Sequence, residues 1–405
     1  MKKYIIIILS ASILISCNHQ TPSKGQFVRS SMELAAHQLE GAIAHIPDTF
    51  KNYGPRTANK DGRVLYVMNV WDWTSGFFPG SLWYMYDYWK DDKWKQYAER
   101  FTNAIEDAKF FTRHHDVGFI IQCSFGNGYR LTGNEQYKDV VVQAAQSLST
   151  RFNPNVGLIK SWDTDRGRPK ERGWQYPVII DNMMNLELLF NATKFSGDSA
   201  FYNIAVSHAD VSMKNHFRPD HSSYHLVDFD SITWVARSRE TVQGYAHESS
   251  WSRGQAWGLY GYTMSYRETG YQRYLEQAEK IADWWLTHKN MPEDRVPYWD
   301  FDAPKIPDEL RDASAAAIAA SALIELASFK TARSNDYLEE AKKTLVSLSS
   351  PVYLSSPGEN ACFVIKHCVG SIPTNQAIDV PINYGDYYFL EALIRYRNSM
   401  ISNNN

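Results

Sequence analysis

Two aspartates in this chain stand where an acid could do chemistry. Asp181 lies in Tyr-Pro-Val-Ile-Ile-Asp-Asn-Met-Met-Asn, with apolar residues or proline on one side and an apolar helical pattern on the other. An ionised carboxylate there is costly unless it is paired or used. Burial would raise its pKa toward neutrality, as a general acid requires. The competing reading is that Asp181 caps the following helix. Asp116, in His114-His115-Asp116-Val117-Gly118-Phe119, has the same choice of roles at the start of another helical run. Ser250-Trp-Ser-Arg-Gly-Gln-Ala-Trp257 places Arg253 and Trp257 one helical turn apart on one face. A guanidinium fork beside an indole suits an anionic sugar; a structural cation–π pair is the alternative. Trp71 and Trp73 precede a further helical run and serve either as core or as a ligand platform.

The elements that must carry these residues repeat. A glycine is followed at steps of four by an aromatic, then small or apolar residues: Gly133, Tyr137, Val141, Ala145; Gly197, Phe201, Ala205, Ala209; Gly270, Tyr274, Ala278, Ala282. A version without glycine runs Tyr337, Ala341, Leu345, and another starts at Tyr97. Steps of four draw one buried stripe along a helix. The glycine marks a left-handed stop of the helix before it. The preceding runs (Val117 to Leu131, Val178 to Phe195, Ser250 to Glu268) are apolar or aromatic on several faces and read as buried helices. Twelve helices are expected, beginning near Val28, Ser75, Trp94, Asp116, Glu135, Val178, Ala200, Ser249, Tyr271, Leu310, Asp336 and Tyr384. Six hairpins of this kind can close into an all-α, (α/α)6 barrel; an open helical solenoid is the alternative. Strand-like alternation is scarce, best at Tyr224 to Trp234. Connections such as Asn153 to Tyr176 and Asp210 to Gly244 would crowd one end and build a site. Both aspartates open inner helices, so a barrel would bring them to the same end and one pocket.

Five motifs now stand in order: Trp73-Thr-Ser-Gly-Phe-Phe-Pro-Gly, His115-Asp-Val-Gly-Phe, Ser124-Phe-Gly-Asn-Gly-Tyr-Arg-Leu-Thr-Gly, Ile180-Asp-Asn-Met-Met-Asn and Trp251-Ser-Arg-Gly-Gln-Ala-Trp-Gly. Together they resemble glycoside hydrolase family 88, the unsaturated glucuronyl hydrolases, from about residue 30 to 398. The segments Lys366 to Pro373 and Val380 to Tyr388 fit the same resemblance. It implies an (α/α)6 barrel and an unusual reaction. The family hydrates the C4=C5 double bond that a polysaccharide lyase leaves on a terminal uronic acid, and the neighbouring sugar is released. Carried over motif by motif, Asp181 is the general acid/base and Asp116 assists it. Trp73, His115, His225, Gln243, Arg253 and Trp257 would hold the substrate, with Arg253 countering the uronate. Lys366 would face a sulfate in the next sugar or be a plain surface lysine. No metal or organic cofactor is implied, since proton transfer and positioning suffice. The related unsaturated rhamnogalacturonyl hydrolases, and ordinary two-carboxylate glycosidases, use the same barrel. A glycan-binding lipoprotein without catalysis is the reading from another class.

Composition bounds the rest. The chain has 405 residues and a net charge of −3 with no basic block, which argues against a nucleic-acid binder. Lys2 and Lys3 precede an apolar run from Tyr4 to Ile15, too short to span a bilayer. It ends Leu-Ile-Ser-Cys17, which resembles a lipobox. The expected organisation is a lipoprotein signal peptide (1–16), a polar tether (17–26) beginning at a lipidated Cys17, and one catalytic domain (27–400). The expected location is membrane-anchored and periplasm-facing, the lipid being the only membrane contact. Cys123, Cys362 and Cys368 are an odd set, so no disulfide framework is expected; a Cys362–Cys368 pair is the alternative.

Overall fold

The structure is a computed structural model and describes residues 25–50 and 53–402. The signal peptide, Cys17 and most of the expected tether lie outside the described residues. The five helical stripes read from the sequence, with the helix expected near Val28, become six outer helices among the described residues: Gln26–Ala44, Asp92–Asn103, Glu135–Ser149, Ser199–Asn215, Gln272–Thr287 and Ser334–Leu348. Each is followed or preceded by an inner one. These are Phe77–Trp89, the run from Val117 to Thr132, the turn Ile180–Asn185 leading into Leu186–Ser196, Ser252–Thr269, Ala313–Ser328 and Asn383–Ser402. Neighbouring inner helices touch all the way round, and the last packs against the first, so the ring is closed. This is the (α/α)6 barrel, not an open solenoid.

The corners follow from local chemistry. Gly133, Gly197 and Gly270 end inner helices with φ of 67°, 77° and 67°. In two of these corners the next residue caps the outer helix: Asn134 accepts from the Gln136 N–H and Asp198 from the Ala200 N–H. The first hairpin does the same with Lys90 (φ 55°) and Asp91. This sets the register of its stripe at Trp94, Ala98 and Thr102, all buried, rather than at Tyr97, which is half-buried. Every other stripe residue named from the sequence is buried.

The two kinds of connection differ in length. Inner-to-outer corners are short. Outer-to-inner connections are long, and all nine strands among the described residues lie in them. The most consequential sheet is antiparallel, with Leu226–Phe229 between Tyr176–Ile179 and Ala236–Glu240. The expected strand at Tyr224 to Trp234 is its centre. Val178 and Ile179, expected as helix, are strand instead. They pair with Val227 and Leu226, and the helix begins only at Ile180. A β-branched run with a partner strand at hand extends rather than coils. Cys123, Cys362 and Cys368 are all free thiols.

Candidate active site

Asp181 sits one residue past this strand, in the 3-10 turn that opens its inner helix. It makes no capping hydrogen bond and is only 7% exposed. Its Oδ2 has no hydrogen-bond partner. Burial pushes its carboxyl up to about 7; Arg253 pulls it down, and the charge of Asp116 pushes it further up. His225 faces that oxygen from just before strand Leu226–Phe229, with Nε2 3.8 Å from Oδ2. The His225 tautomer follows from its other edge: Nδ1 accepts the Val242 N–H at 3.1 Å. The ring proton therefore belongs on Nε2, facing Asp181. Burial and the nearby Arg253 lower the His225 pKa to about 3, so the ring is neutral.

Asp116 opens its own inner helix without a capping side-chain bond. Its carboxylate lies between two histidines, 3.1 Å from His114 Nδ1 and 3.4 Å from His115 Nε2. Burial acts to raise its pKa, but His115, His114 and Arg151 outweigh that and hold it below the ordinary value. Asp116 is thus the ionised member of the pair and Asp181 the protonatable one. His115 is fully buried, and burial lowers its pKa to about 4. Asn185, on the Asp181 element, approaches His115 Nδ1 at 3.4 Å and accepts the Phe119 N–H at 2.8 Å. One side chain thereby ties the two acid-bearing helix starts together.

Arg253 is buried at the start of Ser252–Thr269, and its fork is largely committed. It donates to Asp312 Oδ2 at 3.1 Å, to the Val369 carbonyl and, at 2.6 Å, to the Gly370 carbonyl. Its Nε alone is left without a partner. Its charge is therefore balanced by Asp312 before any substrate arrives, and the residue also pins the hairpin formed by Cys368–Ser371 and Gln376–Val380. Gln243 reaches that hairpin too, donating to Gly370 O at 3.3 Å. Trp251 packs between the two, 4.6 Å from the His225 ring centroid and 4.5 Å from the Arg253 guanidinium. Trp73 and Trp257 meet the same side chain, Phe119, at 5.6 and 5.2 Å. Trp257 is fully buried, its side chain acting on the Asp181 carboxyl to lower its pKa, and Trp73 is half-buried.

The structure therefore brings Asp181, Asp116, His115, His225, Gln243, Arg253, Trp257 and Trp73 to one end of the barrel. Lys366 is not among them. Its Nζ donates to the Pro351 carbonyl at 2.6 Å, and it lines a separate 260 Å³ hollow with Lys60 and Asp379. The sequence reading missed His114 and Asp312. Asp312 had the same signal as the two acids, an aspartate at the start of an inner helix, where it caps Ala313–Ser328.

A closed (α/α)6 barrel with one raised and one lowered carboxyl at the inner-helix starts has the arrangement of an acid/base catalyst. No family model matches the chain. It is 43% identical to an unsaturated glucuronyl hydrolase of Formosa agariphila, over 98% of each chain. It is 35% identical to one of a Bacillus species, over 85% of this chain and 92% of the relative. A crystal structure of an unsaturated glucuronyl hydrolase specific for heparin superposes with a TM-score of 0.88 at 44% identity, covering 93% of this chain and 98% of that one. The chain belongs to the unsaturated glucuronyl hydrolases, glycoside hydrolase family 88.

Proposed function

We propose that Asp181 is the general acid/base of this hydrolase. Its proton passes to C4 of the unsaturated uronate, and positive charge develops at C5 beside the ring oxygen. Water adds at C5 and returns a proton to Asp181. The resulting hemiketal opens, and the neighbouring sugar leaves with its glycosidic oxygen, so no bond to a protein atom forms. Asp116 keeps its charge, raises the affinity of Asp181 for the proton and accepts from substrate hydroxyls. Neutral His225 and His115 donate through Nε2. Gln243 orients the substrate, Arg253 supplies charge from behind the wall, and Trp73 forms an apolar floor under the ring, backed by the buried Trp257. The observation that carries this reading is the buried, unpartnered Oδ2 of Asp181 between a neutral imidazole and an ionised carboxylate.

The substrate is an unsaturated fragment of an acidic polysaccharide. Heparin-type glycosaminoglycan comes first, because the relative at 44% identity is specific for heparin. The test is a panel of lyase-generated disaccharides followed by the absorbance of the conjugated double bond. Absorbance is expected to fall as the second sugar appears, and Asp181→Asn should stop it while substrate still binds. Full activity in Asp181→Asn overturns the assignment; cleavage of saturated uronosides instead would return the chain to ordinary glycosidases. The leader reads as a lipoprotein signal that anchors the enzyme through Cys17, facing the periplasm. Cys17→Ser should then move the protein from the membrane to the soluble fraction.

A further inference from the structure

Arg253 is a threat to the acid beside it. The two helix starts touch, since a Cβ on Gly254 would lie 3.3 Å from Ile180 Cγ2, and this contact makes Arg253 and Asp181 neighbours. Arg253 pulls on the Asp181 proton from there. An unopposed guanidinium so near a buried carboxyl lowers its pKa by about 1–3 units. An acid stripped in this way has no proton to give at neutral pH.

The opposing charge is Asp312. It is 0% exposed and Arg253 is 1% exposed, with Nη1 3.1 Å from Oδ2. No other carboxylate among the described residues forms an ion pair with Arg253. The two oxygens of Asp312 divide their work. Oδ1 caps Ala313–Ser328, accepting the Ser314 N–H at 3.1 Å and the Ser314 hydroxyl, and it takes the Val369 N–H at 3.3 Å. Oδ2 is left to Arg253. A cap needs no charge, and asparagine or serine serves as well. A buried carboxylate also costs more than a buried amide. The charge of Asp312 is therefore explained on its Oδ2 side. The other groups here carry none: burial pushes the Cys368 thiol and the Tyr384 hydroxyl well up, so both stay neutral. Asp386 stands behind the hairpin, accepting the Val364 and Ile365 N–H. Asp116, beside His115, and His225 face Asp181 from the other elements.

We propose that Asp312 is a positioning residue for the reaction: without touching substrate it offsets the pull of Arg253 and so lets Asp181 keep its proton. The proposal rests on the acid role of Asp181 and adds what holds that acid protonated.

The test is the upper limb of the kcat/KM profile against pH. In Asp312→Asn and Asp312→Ser, both of which keep a cap, the limb should move down by about one pH unit. Ser314→Ala weakens the cap and keeps the charge, so its limb should stay in place. Arg253→Gln/Asp312→Asn replaces the buried pair by two neutral amides and decides the matter even if the single variants fail to fold. Its limb should lie within about half a pH unit of wild type, whereas an Arg253 that Asp312 does not balance predicts a rise of about one unit or more. Such a rise overturns the proposal. So does an unmoved limb in the single variants, where a uniform loss of kcat/KM with a lower Tm would leave Asp312 a helix cap alone. For variants too slow to assay, the same proton is followed by the carboxyl 13C signal that Asp181→Asn lacks. That signal also separates Asp181 from Asp386, which burial pushes up to about 7. If wild type shows no limb near 7, or Asp181→Asn is active, the reading of Asp181 falls first, and neither result resembles a displaced limb.

Discussion

The proposed role of Asp181 as a catalyst, and not a structural group, makes its titration the point of test. Its folded pKa stands at about 7, against an ordinary carboxylate value of 3.8. The folded state therefore binds the proton more tightly than the unfolded one. Below pH 3.8 both are protonated and nothing is lost; from there up to about 7 the folded chain loses stability relative to the unfolded one. Asp181→Asn removes the penalty and should stabilise the protein at pH 8 by on the order of 2–4 kcal/mol, read as a higher Tm, while activity disappears. The same proton sets the upper limb of the rate profile. The kcat/KM of wild type should fall as pH rises through about 7, since the acid is then ionised. Asp116, His115, His225 and Arg253 surround it. Asp116 titrates below the ordinary range and the imidazoles at about 4 and 3, so none of these acids or imidazoles produces that limb. A Tm lower than wild type in Asp181→Asn at pH 8 would show that the carboxylate is a structural partner after all. Asp181 was legible as an uncompensated charge in an apolar run, and Asp116 as an aspartate that opens an inner helix in the same way. Arg253 was legible as a site residue but not in its pairing: Asp312 lies 59 positions away, and only the ring brings them together.

Elements are where the sequence spoke most clearly, since each corner is local chemistry and needs no distant partner. The left-handed glycines, the capping Asn or Asp and the stripe at steps of four all act within one hairpin. Strand Tyr176–Ile179 was misread because its state depends on Leu226–Phe229, some 48 residues further on. The same contrast separates two kinds of glycine. A Cβ at Gly133 would meet nothing within 4 Å, and only its φ of 67° is at stake. Gly133→Ala should cost about 1 kcal/mol and leave kcat unchanged. A Cβ at Gly118 would lie 2.4 Å from Asn185 Oδ1 and 2.6 Å from Asn185 Cα, so the two acid-bearing elements would be forced apart. Gly118→Ala should therefore lower kcat at least tenfold, a displacement effect at the reacting centre. Equal kcat in the two variants would show that the spacing between these elements does not position the acids.

The whole barrel divides its labour between its two ends. Long connections build the site at the inner-helix starts, and the far end carries a belt of paired charges lining a hollow of about 570 Å³. Arg253 and Arg267 stand on one helix, 14 residues and so about 21 Å apart. Arg267 pairs with Glu187 and Glu325, and Arg395 with Glu325 and Glu391. Glu391 in turn accepts from Tyr84, Tyr260 and Ser321. These groups come from five of the six inner helices, so the belt holds the ring shut where the corners are too short to overlap. Their pairing is what makes the charge tolerable, and removing Arg395 leaves Glu391 without its cation and Glu325 with Arg267 alone. Arg395→Ala should thus destabilise the protein by about 3–5 kcal/mol, seen as a cooperative loss in Tm. Since the belt touches neither acid, kcat/KM measured well below the transition should stay within about twofold of wild type. The two readouts together decide the matter. A tenfold loss of kcat with an unchanged Tm would mean that the far end communicates with the acids, and the separation of scaffold from chemistry along the barrel axis would fail.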